Sequence, residues 1–305
     1  MPGENRKGLI YGVGAYLLWG LFPLYWPLLE PANAVEILCQ RMVWSLVFIA
    51  LVIAVTGNFA AVRSLVADRS KFYRLALAAL LVSTNWGVYI WSVNNGHVIE
   101  GSLGYFINPL FTILLGVLVL KERLSRPQWL AVGIATLAIV VLTVDYGRLP
   151  WIALILATSF GGYGFLKKQV GAGAVESLAV ETSVLAGPAL LTLIVLAGQS
   201  RLAFGHHGVA NALLLAGTGV VTAIPLMLFG AGARRLPLVS IGLLQYLTPV
   251  LQFAVGFGIR HEPMPPARLL GFALVWLALV VLSVDALNRR HRDAVLARSA
   301  ESVLA

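Results

Sequence analysis

The sequence predicts an all-α polytopic membrane protein whose ten transmembrane helices form two inverted five-helix repeats. Three observations support this fold class: an apolar composition, ten apolar stretches of membrane-spanning length, and an internal duplication at a constant offset. Of the 305 residues, 59% are hydrophobic and only 11% are charged, and the mean hydropathy is +0.86. Soluble domains of this length carry more polar surface, so the composition is typical of a membrane protein.

Ten apolar stretches are predicted to span the membrane, and most are close to the roughly 20 residues that cross a hydrocarbon core as a helix. They are residues 8–29, 34–56, 74–95, 99–120, 127–145, 150–166, 176–198, 209–232, 238–259 and 267–287. The first is too long and too aromatic for a cleavable signal segment, so it is expected to stay in the mature protein. The sixth is the shortest, and Gly161, Gly162 and Gly164 favour irregular backbone there, beside a cavity or inside the protein.

A shift of 140 residues superimposes the first half of the sequence on the second without a gap. The coinciding residues include Glu36 with Glu176, Leu38 with Leu178, Pro109 with Pro249, Gly116 with Gly256, Glu122 with Glu262, and Asp145 with Asp285. Matched charges and prolines indicate an internal duplication, with repeats at 1–145 and 146–287 and a polar tail at 288–305. Because each repeat holds an odd number of spans, the second repeat must enter the membrane from the opposite side. Secondary transporters use such inverted repeats.

The distribution of lysine and arginine predicts the orientation of the chain. With the N-terminus inside, seventeen of these residues fall in cytoplasmic segments, four fall in the loops on the other side, and Arg41 falls within a span. Cytoplasmic loops of membrane proteins carry such an excess of positive charge. Both termini are therefore expected to be cytoplasmic, and the tail is expected to be a frayed orientation anchor.

Other classes of protein are disfavoured by the remaining composition. The net charge of +9 comes from basic residues spread over short loops, which does not favour nucleic-acid binding. Cys39 is the single cysteine of the sequence, so an intrachain disulfide and a cysteine metal cluster are excluded. His261-Glu262 continues with prolines rather than with a second histidine at zinc-motif spacing. No metal or cofactor is predicted.

Three ionisable side chains are predicted inside spans, where such groups are costly and often functional. They are Glu36, Arg41 and Glu181, and the offset makes positions 41 and 181 equivalent. Arg41 has two open interpretations: a substrate role, or a structural role as a snorkelling side chain or partner of Glu36. Inversion places Arg41 and Glu181 near opposite faces of the membrane, so a direct pair is not expected.

Glu181 is the preferred candidate for coupling transport to protonation, because it is the clearest acid inside a span. The alternative is structural, with Glu181 bonded to an amide or hydroxyl of a neighbouring helix. A carrier that cycles through a protonated state needs such a group, whereas a facilitator or an exchanger does not.

Spans three and four hold the densest group of polar and aromatic residues. The group comprises Asn85, Trp86, Tyr89, Trp91, Asn94, Asn95, Glu100, Ser102, Tyr105 and Asn108. A helix face of amides and phenols is costly in a bilayer unless it faces a cavity or another helix. We expect Asn85, Tyr89, Asn94, Tyr105, Asn108 and Tyr163 to line a substrate pathway, with Gln245 and Tyr246 facing them from the second repeat. The alternative is an interfacial belt, which suits Trp44, Trp129 and Trp151.

Prolines interrupt several predicted spans. Pro109 and Pro249 occupy equivalent positions of the repeats, Pro225 lies in the eighth span, and Pro23 and Pro27 lie in the first. A proline inside a helix leaves a backbone carbonyl without its hydrogen bond. Kinks are common in membrane helices, but kinks at equivalent positions of two repeats point to a binding site or gate.

Several segments resemble the RarD subfamily of EamA-type drug/metabolite transporters over nearly the whole chain. They are Trp19 to Tyr25, Arg41 with Ser45, Asn85-Trp86 with Tyr89 and Trp91, Ser102 to Leu110, Leu120 to Leu124, Tyr163 to Lys168, Glu181-Thr182, and Gln245-Tyr246 with Pro249. The resemblance implies a ten-helix inverted-repeat transporter of the bacterial inner membrane, in a family often labelled with chloramphenicol sensitivity. It also implies a central cavity lined by spans one, three, four, six, eight and nine.

The favoured functional hypothesis is a secondary carrier that exports small organic molecules, with protons as a candidate coupling ion. Its partners are then a small-molecule substrate and the lipid bilayer, and the sequence leaves monomer and homodimer open. The alternatives are an intramembrane enzyme and a non-transporting scaffold. An enzyme needs a nucleophile, a base or a metal constellation, and a scaffold does not need inward-facing asparagines and a glutamate.

Overall fold

A computed structural model describes residues 2–120, 124–233, 235–236 and 244–304, and within them every regular element is helical. The α-helices are α1 Pro2–Gly20, α2 Phe22–Tyr25, α3 Ala34–Thr56, α4 Phe59–Ala67, α5 Arg69–Asn94, α6 Val98–Leu120, α7 Arg126–Tyr146, α8 Trp151–Val170, α9 Ala174–Gly198, α10 Gly208–Ala233, α11 Leu247–Ala254 and α12 Pro266–Leu304. A 3-10 turn at Trp26–Leu29 follows α2, and a π-helical turn at Val255–Ile259 follows α11.

Six of the described helices are long and apolar enough to cross a membrane: α3, α5, α7, α9, α10 and the first part of α12, Pro266–Asp285. A seventh span results if α1 and α2 are taken together across their 42° bend. Two shorter apolar helices lie at Trp151–Lys167 and Leu247–Ile259. The helices therefore have the length and composition of a multi-pass membrane protein.

Two predicted boundaries differ from the structure. The tail is not frayed, because α12 continues to Leu304. Residues 288–305 contain neither glycine nor proline and are rich in good helix formers, so the helix has no local reason to stop. The start of the ninth predicted span, together with Glu122, lies outside the described residues.

The duplication is visible in the helix boundaries and contacts. α3 and α9 start at Ala34 and Ala174, and α7 and α12 start at Arg126 and Pro266, so both pairs are 140 residues apart. Contacts between helices are exchanged by the same offset. α1 packs on α10 as α8 packs on α5, α3 packs on α10 as α9 packs on α5, and α6 packs on α8 as α11 packs on α1.

Equivalent helices of the two repeats run antiparallel. At the end of α3, the Asn58 amide donates to the Glu176 carboxylate in the first turn of α9 at 3.1 Å. At the end of α7, Asp145 pairs with Arg268 in the first turn of α12 at 2.9 Å. Glu262 follows the π-helical turn and accepts hydrogen bonds from the first amides of α6. The start of one helix thus lies beside the end of its counterpart in three pairs.

The prolines act in different ways. Pro23 lies in the first turn of α2, directly after the bend that separates α1 from α2. Pro109 and Pro225 lie inside the continuous helices α6 and α10, as does Pro188 in α9. Pro249 lies in the first turn of α11, where its missing amide costs no intrahelical bond. The equivalent prolines 109 and 249 therefore do not make equivalent kinks.

The glycines of the sixth predicted span serve close packing. α8 is a continuous helix rather than irregular backbone, which corrects the expectation for this segment. A Cβ at Gly161 would lie 2.6 Å from the Phe111 ring and 3.0 Å from the Asn108 amide oxygen of α6. On the other side of the contact, a Cβ at Gly104 would lie 2.8 Å from the Ala153 carbonyl oxygen. Small residues let α6 and α8 approach closely.

Candidate functional site

Arg41 is a fully buried arginine on α3, with 1% of its surface exposed. Its Nε donates to the Thr222 hydroxyl of α10 at 2.7 Å, and Thr222 donates in turn to the Thr218 carbonyl at 2.7 Å. A Cβ at Gly219 would overlap the backbone of Trp44, so the helices touch here because α10 carries a glycine. The close approach brings the guanidinium within reach of the threonine and fixes its orientation.

Three aromatic rings surround the Arg41 guanidinium, and we call them the aromatic cage. Its Cζ atom lies 3.8 Å from the centre of the Trp86 ring, 5.1 Å from Trp26 and 5.6 Å from Phe22. A desolvated cation over an aromatic face gains about 2 kcal/mol or more. The rings come from the segment around α2 and from α5, so the cage joins both ends of the first repeat's inner surface.

A network of phenols and amides lies next to the cage. The Tyr105 hydroxyl donates to the Asn85 carbonyl at 2.9 Å, and the Asn85 amide donates to the Leu156 carbonyl of α8 at 3.0 Å. The rings of Tyr89 and Tyr105 meet edge to face at 5.5 Å. Both phenols lie close enough to Arg41 to interact with its charge. The structure thus brings together Asn85, Tyr89 and Tyr105, as the sequence predicts, and adds Arg41 to them.

Tyr163 and Asn108 lie further along α8 and α6. The Phe160 ring contacts Tyr105 at 5.9 Å and Tyr163 at 6.0 Å, which links Tyr163 to the network. Asn108 is 5% exposed and faces Gly161.

The other predicted pathway residues lie elsewhere. Asn94 is partly buried at the last turn of α5. Tyr246 packs with the apolar cluster of α6, α7 and α12 and lies beside Ser283. Gln245 precedes it outside α11 and is partly exposed. The expectation that Tyr246 faces Asn85 is therefore corrected, because the turn at Tyr246 directs its ring toward α12.

Glu181 of α9 is a buried carboxylate held in an ion pair, with 1% of its surface exposed. The Lys167 ammonium of α8 lies 2.7 Å from one carboxylate oxygen, and the Tyr163 hydroxyl donates to the other at 3.3 Å. Lys167 also donates to the Ser177 hydroxyl, one turn before Glu181. The lysine side chain is 22% exposed, so the pair connects the interior to one end of the bundle.

Glu36 has a structural role that excludes a pair with Arg41. Its carboxylate is completely buried and accepts hydrogen bonds from the Ala203 and Phe204 amides at 2.9 to 3.0 Å. These bonds tie the first turn of α3 to the loop after α9. The hypothesis that Glu36 is the partner of Arg41 is wrong, since each side chain bonds to a different element.

Sequence reasoning missed two features. The sequence indicates Lys167 only as a positive charge at the end of a span, because no local pattern shows which side chain it meets on another helix. Glu100 and Arg148 form an ion pair at 2.8 Å beside a pocket of about 230 Å³, which Tyr146, Glu262 and Arg268 also line. The hydrogen bond to Glu100 raises the pKa of Arg148 above its ordinary value. No cluster of metal-ligating side chains occurs in the described part of the chain.

The comparisons with known proteins agree with this arrangement of helices. Residues 6–144 match the EamA-like transporter family. Protein RarD of Streptomyces exfoliatus is 55% identical over 99% of this chain and 96% of its own length. The chain belongs to the EamA-like transporter family.

Two further comparisons extend the match across this EamA family member. An uncharacterized transporter of Pseudomonas aeruginosa is 43% identical over 94% of this chain and 96% of its own length. A solved crystal structure of 16% identity covers 91% of this chain and 97% of its own with a TM-score of 0.61, a likeness that speaks for the fold alone. The EamA protein is thus a RarD homologue and a membrane transporter rather than an enzyme, which confirms the resemblance found in the sequence.

Proposed function

We propose that this EamA protein is a secondary carrier that exports small organic metabolites or drugs across the bacterial inner membrane by alternating access. The observation that carries the proposal is the exchange of helix contacts between the two repeats, together with the antiparallel course of equivalent helices. Two inverted copies of one unit can adopt each other's arrangement, which opens one site alternately to either side. Both copies lie in one chain, so the exchange needs no second subunit.

The proposed topology has ten spans with both termini in the cytoplasm. Hydrogen bonds between loops support it, because they join loops that ten crossings would put on the same side. Glu36 of α3 binds the loop after α9, and Asn211 of α10 donates to the Leu29 and Glu30 carbonyls. At the opposite end, Asn58 meets Glu176. The excess of lysine and arginine on the second of these sides makes it the cytoplasmic one.

The proposed substrate pathway runs through the network around Asn85, Tyr89 and Tyr105. These side chains are buried between α5, α6 and α8 instead of facing lipid. Aromatic walls with a few amides favour a mostly apolar organic molecule over a bare ion.

The proposed coupling site is the pair of Glu181 and Lys167. Protonation of Glu181 would remove the negative charge that holds Lys167, which would free α8 and α9 to move relative to each other. A buried pair whose partner lies at the edge of the bundle suits this role, because a proton can reach it from one side in one state. The competing role is a static structural bond.

Uptake into inside-out membrane vesicles tests the carrier function on many candidate compounds at once. Vesicles from cells with and without the protein are energised with a pH gradient, incubated with a cellular metabolite extract supplemented with chloramphenicol, washed and examined by mass spectrometry. We expect at least one compound to accumulate only in vesicles that contain the protein. If no compound accumulates in a protein-dependent way, the carrier function is wrong.

A further inference from the structure

We propose that the transported molecule is an organic monoanion, a carboxylate on an aromatic or apolar body, and that Arg41 binds the carboxylate inside the aromatic cage. The inference rests on the proposed carrier function and adds the chemical class of its substrate. It is carried by a buried cation that has no acidic partner and by neighbouring donors that have no acceptors, both within the described residues.

The charge of Arg41 is not balanced by the described part of the protein. No acidic side chain of the described residues pairs with it. The buried acids Glu36, Glu100 and Glu181 are bound to backbone amides, Arg148 and Lys167 respectively. A charged side chain inside a membrane is costly unless it is paired, hydrated or used. A bound anion would supply the missing charge.

The polar atoms around Arg41 are donors in need of an acceptor. Arg41 Nη1, the Tyr89 hydroxyl and Trp26 Nε1 are all buried, and none has a hydrogen-bond partner within the described residues. Leaving buried donors unsatisfied costs free energy, so such sites usually bind something. A carboxylate accepts hydrogen bonds and donates none, and it complements these three donors.

The number of charges selects the kind of anion. Arg41 is the cation in contact with the cage, so the site compensates one negative charge and suits a carboxylate better than a doubly charged phosphate. The Trp86, Trp26 and Phe22 rings then remain as apolar walls for the body of the molecule. The bond from Nε to Thr222 holds the planar guanidinium in place, which a lysine at this position would not reproduce.

A purely structural arginine is the competing interpretation. In that case cation–π contacts and the Thr222 bond alone would stabilise Arg41, and the protein would not distinguish a carboxylate from its amide. Matched pairs of ligands separate the two interpretations, because a carboxylic acid and its primary amide have the same body and nearly the same size.

The test measures thermal stability and tryptophan fluorescence of the purified wild-type protein with millimolar 3-phenylpropionate, 3-phenylpropionamide, indole-3-acetate and indole-3-acetamide. A ligand that binds only the folded state raises the unfolding temperature. We expect stabilisation by the carboxylates and little by the amides, with a fluorescence change because Trp26 and Trp86 flank the site. Equal stabilisation by acids and amides, or none by either carboxylate, overturns the inference.

Variants assign the effect to the cage. Arg41→Gln and Arg41→Lys should weaken carboxylate binding by about tenfold or more, since a charge-assisted bidentate contact is lost. Arg201→Gln is the matched control, because Arg201 is exposed in a loop and bonds only to Gln199 among the described residues. Unchanged carboxylate preference in both Arg41 variants contradicts the inference.

The vesicle assay separates this inference from the carrier function. Protein-dependent accumulation of neutral compounds that persists in Arg41→Gln would leave the carrier function intact and overturn the anion inference. Protein-dependent accumulation of carboxylates that is lost in Arg41→Gln and kept in Arg201→Gln supports both.

Discussion

Arg41 of α3 and Glu181 of α9 occupy equivalent positions of the two repeats, carry opposite charges and have opposite environments. Both side chains are 1% exposed. Arg41 is surrounded by aromatic rings and bonded to one neutral hydroxyl, whereas Glu181 is paired with Lys167 and bonded to Tyr163. The duplication therefore preserves where a charge lies and leaves free how it is balanced. A paired charge can serve as an internal switch, and an unpaired one can serve as a receptor for a ligand.

The largest effect is expected for Glu181→Gln in transport. The glutamine keeps the size and most of the hydrogen bonds of the glutamate but cannot release a proton. We expect the variant to exchange substrate across vesicle membranes and to lose all accumulation driven by a pH gradient. Glu176→Gln, at a partly exposed carboxylate in the first turn of the same helix, is the control and should accumulate normally. Retained accumulation in Glu181→Gln would exclude it as the coupling site.

The next largest effect is expected for Lys167→Met in stability. The substitution leaves the Glu181 carboxylate buried without its counter-charge, which costs about 3–5 kcal/mol of the free energy of unfolding. The double variant with Glu181→Gln should recover most of this loss, because the uncompensated charge is then absent. Denaturant unfolding of the four proteins in detergent measures the coupling. Additive losses in the double variant would mean that the two side chains do not act as a pair.

An intermediate effect is expected for Glu36→Gln. Glu36 accepts hydrogen bonds from two backbone amides with both carboxylate oxygens, and a glutamine can accept with one oxygen only. We expect a loss of about 2 kcal/mol in the free energy of unfolding. Glu176→Gln at the equivalent position of the second repeat should change it by less than about 0.5 kcal/mol. A similar loss in both variants would contradict the structural role assigned to Glu36.

The smallest effect is expected for Arg41→Met in stability. The substitution removes cation–π contacts and one hydrogen bond, but it also removes an unbalanced buried charge and places an apolar side chain among aromatic rings. These contributions oppose each other, and we expect a net change within about 1 kcal/mol. A loss as large as that of Lys167→Met would show that the native state depends on the Arg41 charge. Arg41 would then be structural.

The sequence is sufficient for features that repeat or that depend on local composition. The offset of 140 residues anticipates the starts of α3 and α9 and of α7 and α12. The grouping of Asn85, Tyr89 and Tyr105 is also predictable, because amides and phenols on apolar helices must face inward. In these cases the physical constraint acts on neighbouring residues of one helix or on the chain as a whole.

Contacts between distant helices are not predictable in the same way. The partner of Glu181 is Lys167 on another helix, and the partner of Glu36 is a loop more than 160 residues away. The position of Tyr246 depends on a turn at that residue, and periodicity cannot show such a turn. The polarity of the tail suggests fraying, but its residues favour helix, and the structure follows this local preference.

The measurement that tests the inverted repeat most directly is the labelling of two equivalent positions from outside the cell. Ala60 in α4 and Ser200 after α9 are both exposed and are separated by the offset of 140 residues. Each is replaced by cysteine in a Cys39→Ser background, and intact cells are treated with a membrane-impermeant maleimide. We expect Ser200→Cys to be labelled in intact cells, and Ala60→Cys to be labelled only after the cells are permeabilised. Labelling of both positions from the same side would contradict the inverted repeat and the comparison of Arg41 with Glu181 that depends on it.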